Sequence, residues 1–131
     1  MAANPDAGAV LRTLWDRIDG QDWDGMAALL DPRLQARYVD TGETFGPGEL
    51  VRVNREYPGR WHATVEEIVA DGDRAVSRTR VSDGRQTHYA ASFATVRDGL
   101  ITSLVEVWVE GGAPVKVKEN MIFTVTSTNR S

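Results

Sequence analysis

Glu106 is the first residue to consider for chemistry, because it interrupts an apolar run, Leu104-Val105-Glu106-Val107-Trp108. The run follows the pair Asp98-Gly99, which between two β-rich stretches predicts a hairpin with a two-residue turn. Strict pairing across that turn puts Glu106 opposite Ala91. On that side of the ribbon its neighbours would be Tyr89, Phe93, Leu104 and Trp108.

A carboxyl group in such surroundings is a candidate general acid or base. Aromatic and apolar neighbours desolvate the group and disfavour its ionised form, which leaves the acid or base poised for proton transfer. The alternative is structural. Glu106 would pair with Arg78 or Arg80, or a bulge would shift the register and leave it in solvent.

Asp40 is the second candidate base. It follows a short β-like run from Leu34 to Val39, at a place where its carboxylate can point into the mouth of a cavity and abstract a proton next to a carbonyl. Tyr38 or Tyr89 would then donate a hydrogen bond to the substrate. The alternative is an Asx-turn residue without a chemical role, which the following Thr41-Gly42 supports equally well.

Two histidines raise the question of a metal, but we predict no metal site. With two-residue turns, His62 and His88 share one face and are separated by an intervening strand, roughly 10 Å apart. That distance is too long for one ion, so His62 is considered only as a lone pocket base, with a surface or interface role as its alternative. We also predict no cofactor, because the chain has no Cys, no ligand cluster and no phosphate-binding glycine loop.

Aromatic residues are numerous for a small chain, and they can line a cavity for a flat ligand or simply fill the core. The sequence does not decide between these alternatives. The predicted contacts with a small hydrophobic organic ligand are Trp15, Tyr38, Phe45, Tyr57, Trp61, His62, Tyr89, Phe93 and Trp108.

Length and charge limit the function classes. A chain of 131 residues is predicted to form one domain, residues 1–131, with a core of its own. The net charge of -4 and the scattered Lys and Arg residues argue against nucleic acid or a membrane surface as a partner. The chain shows no signal-peptide pattern and no apolar run of membrane-spanning length, so we expect a cytoplasmic protein.

Three helices are predicted in the N-terminal half. The first begins with Asn4 as its N-cap and ends at Gly20. The second is capped by Asp22 and runs to Leu30, where Asp31-Pro32 stops it. The third runs from Glu49 to Tyr57 and ends before a proline.

From Trp61 onward the pattern predicts a four-strand meander. The pairs Asp71-Gly72, Asp83-Gly84 and Asp98-Gly99 divide it. Strands of about ten residues twist and curl, which leaves a concave side that helices or a ligand must fill. A further β-like run, Met121 to Thr126, is not assigned to a position.

This pattern resembles the nuclear transport factor 2-like cone, and the sequence is similar to its SnoaL-like branch, named for polyketide cyclases. The resemblance covers about Pro5 to Gly112 and leaves the tail, 113–131, unassigned. It implies an α+β fold of the cystatin-like barrel type, in which a curled, mixed sheet follows three N-terminal helices. The stretches that carry it are Leu14-Trp15-Asp16-Arg17-Ile18, Asp22-Trp23-Asp24-Gly25, Phe45-Gly46-Pro47-Gly48, Arg55-Glu56-Tyr57-Pro58, Trp61, Ser92 to Ile101 and Glu106-Val107-Trp108.

The resemblance is specific for the fold but not for the chemistry. Steroid isomerases of this superfamily use a Tyr that falls at Leu14 here, an acid that falls at about Ala91 and a general-base Asp near the first strand. Only Asp40, a residue or two beyond the position of that base, is a candidate match. The epoxide hydrolases carry an Arg-x-Asp pattern, and the corresponding strand here reads Arg78-Thr79-Arg80. Because the Asp is missing, the sequence argues against epoxide hydrolysis. No residue securely matches the pocket Asp of the cyclases.

The sequence as a whole predicts acid/base catalysis, of cyclisation or isomerisation type, on a hydrophobic carbonyl compound, with Asp40 or Glu106 as the base. The alternatives are a non-catalytic binding protein with the same cavity and a dimeric assembly module without one. We expect a homodimer formed through the outer face of the sheet.

Overall fold

A computed structural model describes residues 6–111, which form three helices and six strands. The helices lie in the N-terminal half together with the first two strands, and the last four strands follow one another without a helix between them. The elements are α1 (Ala7–Asp19), α2 (Trp23–Ala27), β1 (Leu30–Tyr38), β2 (Thr44–Phe45), α3 (Pro47–Glu56), β3 (His62–Asp71), β4 (Arg74–Ser82), β5 (Thr87–Arg97) and β6 (Leu100–Glu110). The predicted cap at Asn4 and the unassigned run from Met121 to Thr126 lie outside the described residues.

The predicted cap of the first helix was wrong, because Asp6 is the N-cap of α1, two residues after Asn4, and its side chain accepts a hydrogen bond from the Ala9 backbone N–H at 2.6 Å. The helix ends at Gly20 as predicted. Asp22 caps α2, also as predicted, by accepting from the Gly25 N–H. Among residues 6–111, no helix has both the length and the apolar character needed to cross a bilayer.

The predicted end of the second helix was wrong. Helix α2 stops at Ala27, and Asp31-Pro32 lies inside β1 instead of ending a helix. The ladder between β1 and β6 is interrupted between Leu30 and Gln35, so Pro32 is not required to donate a ladder hydrogen bond there. Leu34 and Ala36 are buried while Gln35 and Arg37 are exposed, and this alternation is the pattern of a strand.

Helix α3 begins two residues before the predicted Glu49. Pro47 occupies its first turn, and the Glu49 side chain accepts a hydrogen bond from the Gly46 N–H at 3.2 Å. Tyr57 adopts an extended conformation and ends the helix before Pro58, as predicted.

The strands form one curled, unclosed sheet in the order β2-β1-β6-β5-β4-β3. Strand β1 runs parallel to β6, and every other pairing in this sheet is antiparallel. Helix α1 packs on β3 and β4, whereas α3 packs on β1. The core between them is apolar, with Leu11, Leu14 and Leu104 almost completely buried. The α+β fold with a mixed sheet is therefore confirmed.

The turn at Asp98-Gly99 has two residues, since Arg97 lies opposite Leu100, and both turn residues have positive φ as a type I′ hairpin requires. A bulge between Thr95 and Val96 then shifts the pairing by one residue. Glu106 consequently lies opposite Ser92, and the predicted pairing with Ala91 was wrong.

Candidate functional site

The helices do not fill the hollow of the sheet, and a cavity of about 460 Å³ remains. Such a volume lies within the range of small-ligand sites. Residues from both helices and strands form its wall: Trp15, Ile18, Gln21, Trp23, Tyr38, Asp40, Thr41, Glu43, Phe45, Val53, Asn54, Arg55, Tyr57, Gly59, Trp61, Val81, His88 and Trp108.

Aromatic side chains in contact with one another form much of this wall. Trp108 packs against both Trp15 and Tyr38, with ring centroids 6.2 Å apart in each pair, and Tyr38 contacts Phe45 at 4.9 Å. The Trp15–Trp108 and Tyr38–Phe45 pairs have the favoured edge-on geometry, and the Tyr38–Trp108 pair is tilted. This set of aromatic residues belongs to α1, β1, β2 and β6, so it ties the helix layer to the sheet.

A second aromatic set includes Tyr57, whose side chain is exposed. Trp61 contacts Tyr57 at 5.6 Å and His88 at 5.3 Å. The Trp61 indole donates a hydrogen bond of 2.7 Å to the Pro58 carbonyl, which fixes the ring. Gly59 has a φ of +107°, and a Cβ there would lie 2.8 Å from Trp61 Nε1, so this loop requires glycine.

Glu106 lies behind the cavity wall and is 4% exposed. The Ser92 hydroxyl donates a 2.5 Å hydrogen bond to its carboxyl group. Desolvation raises the pKa of Glu106 to about 7, against the hydrogen bond from Ser92, which lowers it. The Trp108 N–H also lowers this pKa, although it does not reach a hydrogen bond of ordinary geometry. The negative charge of Asp40 raises it further.

The predicted surroundings of Glu106 were therefore half right. Leu104 and Trp108 share its side of the sheet, as predicted, but Ser92 takes the place of Ala91, and Ala90 and Ala94 take the places expected for Tyr89 and Phe93. Salt bridges to Arg78 or Arg80 were the alternative, and these two arginines instead pair with Glu66, with a second contact from Arg78 to Glu67.

Tyr38 lines the cavity two residues before Asp40. Burial raises the pKa of the Tyr38 hydroxyl above its ordinary value, and the negative charge of Glu106 raises it further. A hydrogen bond from Asn54 lowers it in part, whereas Asp40 and Glu43 raise it. The hydroxyl therefore stays protonated at any physiological pH and is available as a donor.

Asp40 lies in the turn between β1 and β2 and also lines the cavity. Backbone groups close that turn, since the Gly42 N–H donates to the Tyr38 carbonyl at 2.8 Å and the Tyr38 N–H donates to the Glu43 carbonyl at 2.9 Å. Within residues 6–111 the Asp40 carboxylate has no hydrogen bond and no salt bridge, and the predicted Asx-turn alternative is not seen.

Three of the predicted contact residues do not line the cavity. His62 is on the surface, with Nδ1 3.5 Å from Asp19 Oδ1 and a side chain 78% exposed. Phe93 is 41% exposed on the other face of β5, where the bulge also places Tyr89. A bulge between Val65 and Glu67 shifts the pairing of β3 with β4 by one residue, so His62 lies opposite Ser82 whereas His88 lies opposite Val81, and the two histidines fall on opposite faces. The four residues 83–86 that connect β4 to β5 in place of the predicted two-residue turn shift that register by an even number and leave the faces unchanged.

The remaining predicted contact residues, Trp15, Tyr38, Phe45, Tyr57, Trp61 and Trp108, lie together on the cavity wall. Sequence reasoning missed Ser92 and Asn54. Asn54 follows Leu50 at helical spacing, which was a readable signal for its inward position. The role of Ser92 depends on the bulge, for which the sequence has no local signal.

Comparison with known proteins places this geometry in a family. Residues 11–104 match the family model described as SnoaL-like domain. A provisionally assigned ketosteroid isomerase from Kribbella flavida DSM 17836 has 30% sequence identity and a TM-score of 0.77, covering 88% of this chain and 86% of that chain. A comparison with curated protein sequences found no match.

Two more distant structures share the fold alone. A provisionally assigned polyketide cyclase from Sinorhizobium meliloti has 23% identity and a TM-score of 0.63, covering 75% of this chain and 93% of that chain. A protein with a ketosteroid isomerase-like fold from Catenulispora acidiphila DSM 44928, solved in complex with trimethylamine, has 13% identity and a TM-score of 0.64, covering 79% and 85%.

Proposed function

Because the chain belongs to the SnoaL-like domain family, we propose that its cavity binds a small hydrophobic carbonyl compound and catalyses proton transfer next to the carbonyl, in a cyclisation or an isomerisation. The observation that carries this proposal is the position of Asp40 on the wall of an aromatic cavity, two residues after Tyr38, where its carboxylate has no partner among residues 6–111. A base and a hydrogen-bond donor on one wall are the two groups that enolisation needs.

Asp40 is the proposed general base. Its oxygen takes the proton from the carbon next to the carbonyl, and the electron pair of the broken C–H bond moves into the enolate. In an isomerisation, Asp40 returns the proton to another carbon. In an aldol cyclisation, the enolate carbon attacks a second carbonyl of the same molecule.

Tyr38 is the proposed donor to the enolate oxygen. Its raised pKa keeps the proton on the hydroxyl, so the enolate is stabilised by a hydrogen bond without losing charge to the protein. The Asn54 side chain lines the cavity and lowers the pKa of this hydroxyl in part, while its amide donates a hydrogen bond to the Leu50 carbonyl at 2.9 Å.

Glu106 is proposed to act from behind the wall. Because it is not a lining residue, it is assigned no contact with the substrate. Its carboxyl changes charge near neutral pH, and that charge acts on Tyr38, so it adjusts the strength of the donor.

Exchange of a carbon-bound proton tests this proposal without knowledge of the natural substrate. The probe is β-tetralone, a bicyclic ketone, incubated in D₂O while proton NMR follows loss of its signals next to the carbonyl. Wild-type protein should accelerate the exchange, and Asp40→Asn should slow the catalysed rate by about 100-fold or more. Asp71→Asn removes a carboxylate far along the sheet and is the matched control. Equal rates for Asp40→Asn and wild type would overturn the assignment of the base.

A non-catalytic binding protein is the second candidate, favoured by the incomplete match to the family's catalytic patterns at Leu14 and Ala91. In that case β-tetralone would shift the tryptophan indole N–H signals in NMR spectra, while its exchange rate would remain that of buffer. Signal shifts and the exchange rate, measured on one sample, therefore distinguish the two functions.

The protein is further proposed to be a cytoplasmic homodimer with no nucleic-acid or membrane partner. Support for the dimer comes from the outer face of the sheet, where Val69, Val76, Phe93 and Val105 are register neighbours across four strands. Val69, Val76 and Phe93 are 62%, 38% and 41% exposed. A contiguous exposed apolar row of this kind favours contact with a second copy. The net charge of -4 argues against polyanionic partners.

A further inference from the structure

We propose that the ligand of this cavity is an organic cation, an apolar body that carries an amine or quaternary ammonium group. The inference rests on the proposed ligand cavity and specifies the chemical class that it selects. It follows from the charges on the cavity wall, from its aromatic surfaces and from the demands of the proposed reaction.

Unpaired negative charge dominates the wall. Asp40 and Glu43 both line the cavity, and within residues 6–111 neither forms a salt bridge. Arg55 is the arginine on the same wall, and the Glu56 carboxylate that it contacts at 3.5 Å also accepts from Arg52 at 2.9 Å. Two lining carboxylates therefore stand against one lining guanidinium among the described residues, and the wall keeps a net negative charge. His88 is the remaining titratable base on the wall, where it packs against Trp61.

The field of these carboxylates reaches the interior. The charges of Asp40 and Glu43 both act on the buried Tyr38 hydroxyl, and the charge of Asp40 acts on Glu106 as well. Glu106 itself adds negative charge behind the wall when it ionises. A cation in the cavity is therefore attracted by these carboxylates, whereas an anion is repelled.

The aromatic rings provide the second half of a cation site. Seven lining residues are Trp, Tyr or Phe, and Tyr57 and Trp61 lie 5.6 Å apart within the set that contacts His88. Faces of Trp and Tyr rings attract ammonium groups through their quadrupoles, and aromatic cages with nearby carboxylates are the usual protein site for quaternary ammonium ligands.

The proposed chemistry makes the same demand. Enolisation creates negative charge at the substrate oxygen, beside Tyr38, where Asp40, Glu43 and Glu106 already raise the cost of a negative charge. A positive charge on the substrate offsets that repulsion. A neutral ketone lacks this compensation, so a cationic ketone is the better substrate for this cavity.

Choline and its uncharged isostere test the inference. The isostere is the alcohol in which carbon replaces the ammonium nitrogen, so the two probes share shape and differ in charge. Affinities come from titrations that follow the tryptophan indole N–H signals by NMR. Choline should bind wild-type protein at least about tenfold more tightly than the isostere.

Charge removal supplies the control. Asp40→Asn combined with Glu43→Gln should weaken choline binding by about tenfold and leave the affinity of the isostere unchanged. Asp71→Asn combined with Asp98→Asn removes the same number of charges from two hairpin turns and should leave both affinities as in wild type.

Equal affinity for the two probes, tighter binding of the isostere, or binding of neither would overturn the inference. The exchange of β-tetralone separates this outcome from failure of the proposed function. If the protein catalyses exchange but does not prefer choline, the proposal of a cationic ligand is rejected and the proposed catalysis stands. If it prefers choline but does not catalyse exchange, the proposed catalysis is rejected and the cationic ligand stands.

Discussion

Ser92 and Glu106 face each other across β5 and β6, and the serine hydroxyl donates a 2.5 Å hydrogen bond to the buried carboxyl. This pair exists because a bulge at Thr95 and Val96 moves the register by one residue. The pair is linked electrostatically to the cavity, because Tyr38 and Trp108 lie on the cavity wall. The charge of Glu106 raises the pKa of Tyr38, and the Trp108 N–H lowers the pKa of Glu106.

Ser92→Ala should raise the pKa of Glu106 above about 7, because the hydrogen bond from Ser92 favours the ionised carboxylate. Carbon-detected NMR of a sample labelled at the glutamate carboxyls measures this pKa directly. Ser77→Ala is the matched control, since Ser77 is equally buried on the neighbouring strand and its hydroxyl has no hydrogen bond within the described residues. An unchanged or lowered pKa in Ser92→Ala would contradict the role of the pair.

Glu106 should make the folded protein less stable as the pH rises from about 4.5 to about 7. Its pKa is raised in the folded state, so in that window the unfolded chain binds fewer protons than the folded one, and the free energy of unfolding falls with pH. The full loss is about 3 kcal/mol and persists above pH 7.

Glu106→Gln removes this contribution while keeping an oxygen that can accept from Ser92. Urea unfolding at pH 5 and pH 8 should therefore show a smaller pH dependence in the variant than in wild type. Glu110→Gln, at the exposed end of β6, should keep the wild-type dependence. Parallel curves for Glu106→Gln and wild type would show that the carboxyl does not titrate as proposed.

Gly59→Ala should destabilise the fold by about 1–3 kcal/mol, because alanine is strained at positive φ and its Cβ would meet Trp61 Nε1. Thermal unfolding measures the loss, and the Trp61 indole N–H signal should shift as the ring moves. Gly48→Ala is the contrasting variant. Gly48 lies in α3 with open space around it, so alanine there should be neutral or slightly stabilising.

Phe93→Lys should convert the proposed dimer to a monomer, because it places a charge at the centre of the exposed apolar row on the outer sheet face. Light scattering coupled to size-exclusion chromatography gives the mass. Val39→Lys makes the same charge change at another exposed apolar residue, next to the β1–β2 turn, and should leave the mass unchanged. A monomeric wild-type protein would reject the dimer outright.

Much of the fold could be predicted from sequence, because its signals are local. Asp22 capped a helix and Asp98-Gly99 formed a two-residue turn, since each feature depends on residues within one turn of chain. The exception at Pro32 is instructive. A proline normally argues against a strand, but an interruption in the ladder removed its cost, and that interruption depends on the distant strand β6.

The sequence by itself determined the helices, the curled sheet, and the aromatic residues and two carboxylates that they carry. Residue alternation, helix capping and turn chemistry act between near neighbours, so a local pattern is enough to predict these features. The tertiary structure decided which of them meet. One bulge placed Ser92 opposite Glu106 in the position expected for Ala91, and it turned Tyr89 and Phe93 away from that carboxyl. The fit between α1, α3 and the sheet left Asp40 on the wall of an open cavity. Register and packing volume depend on contacts between residues far apart in the chain, and no local pattern encodes them.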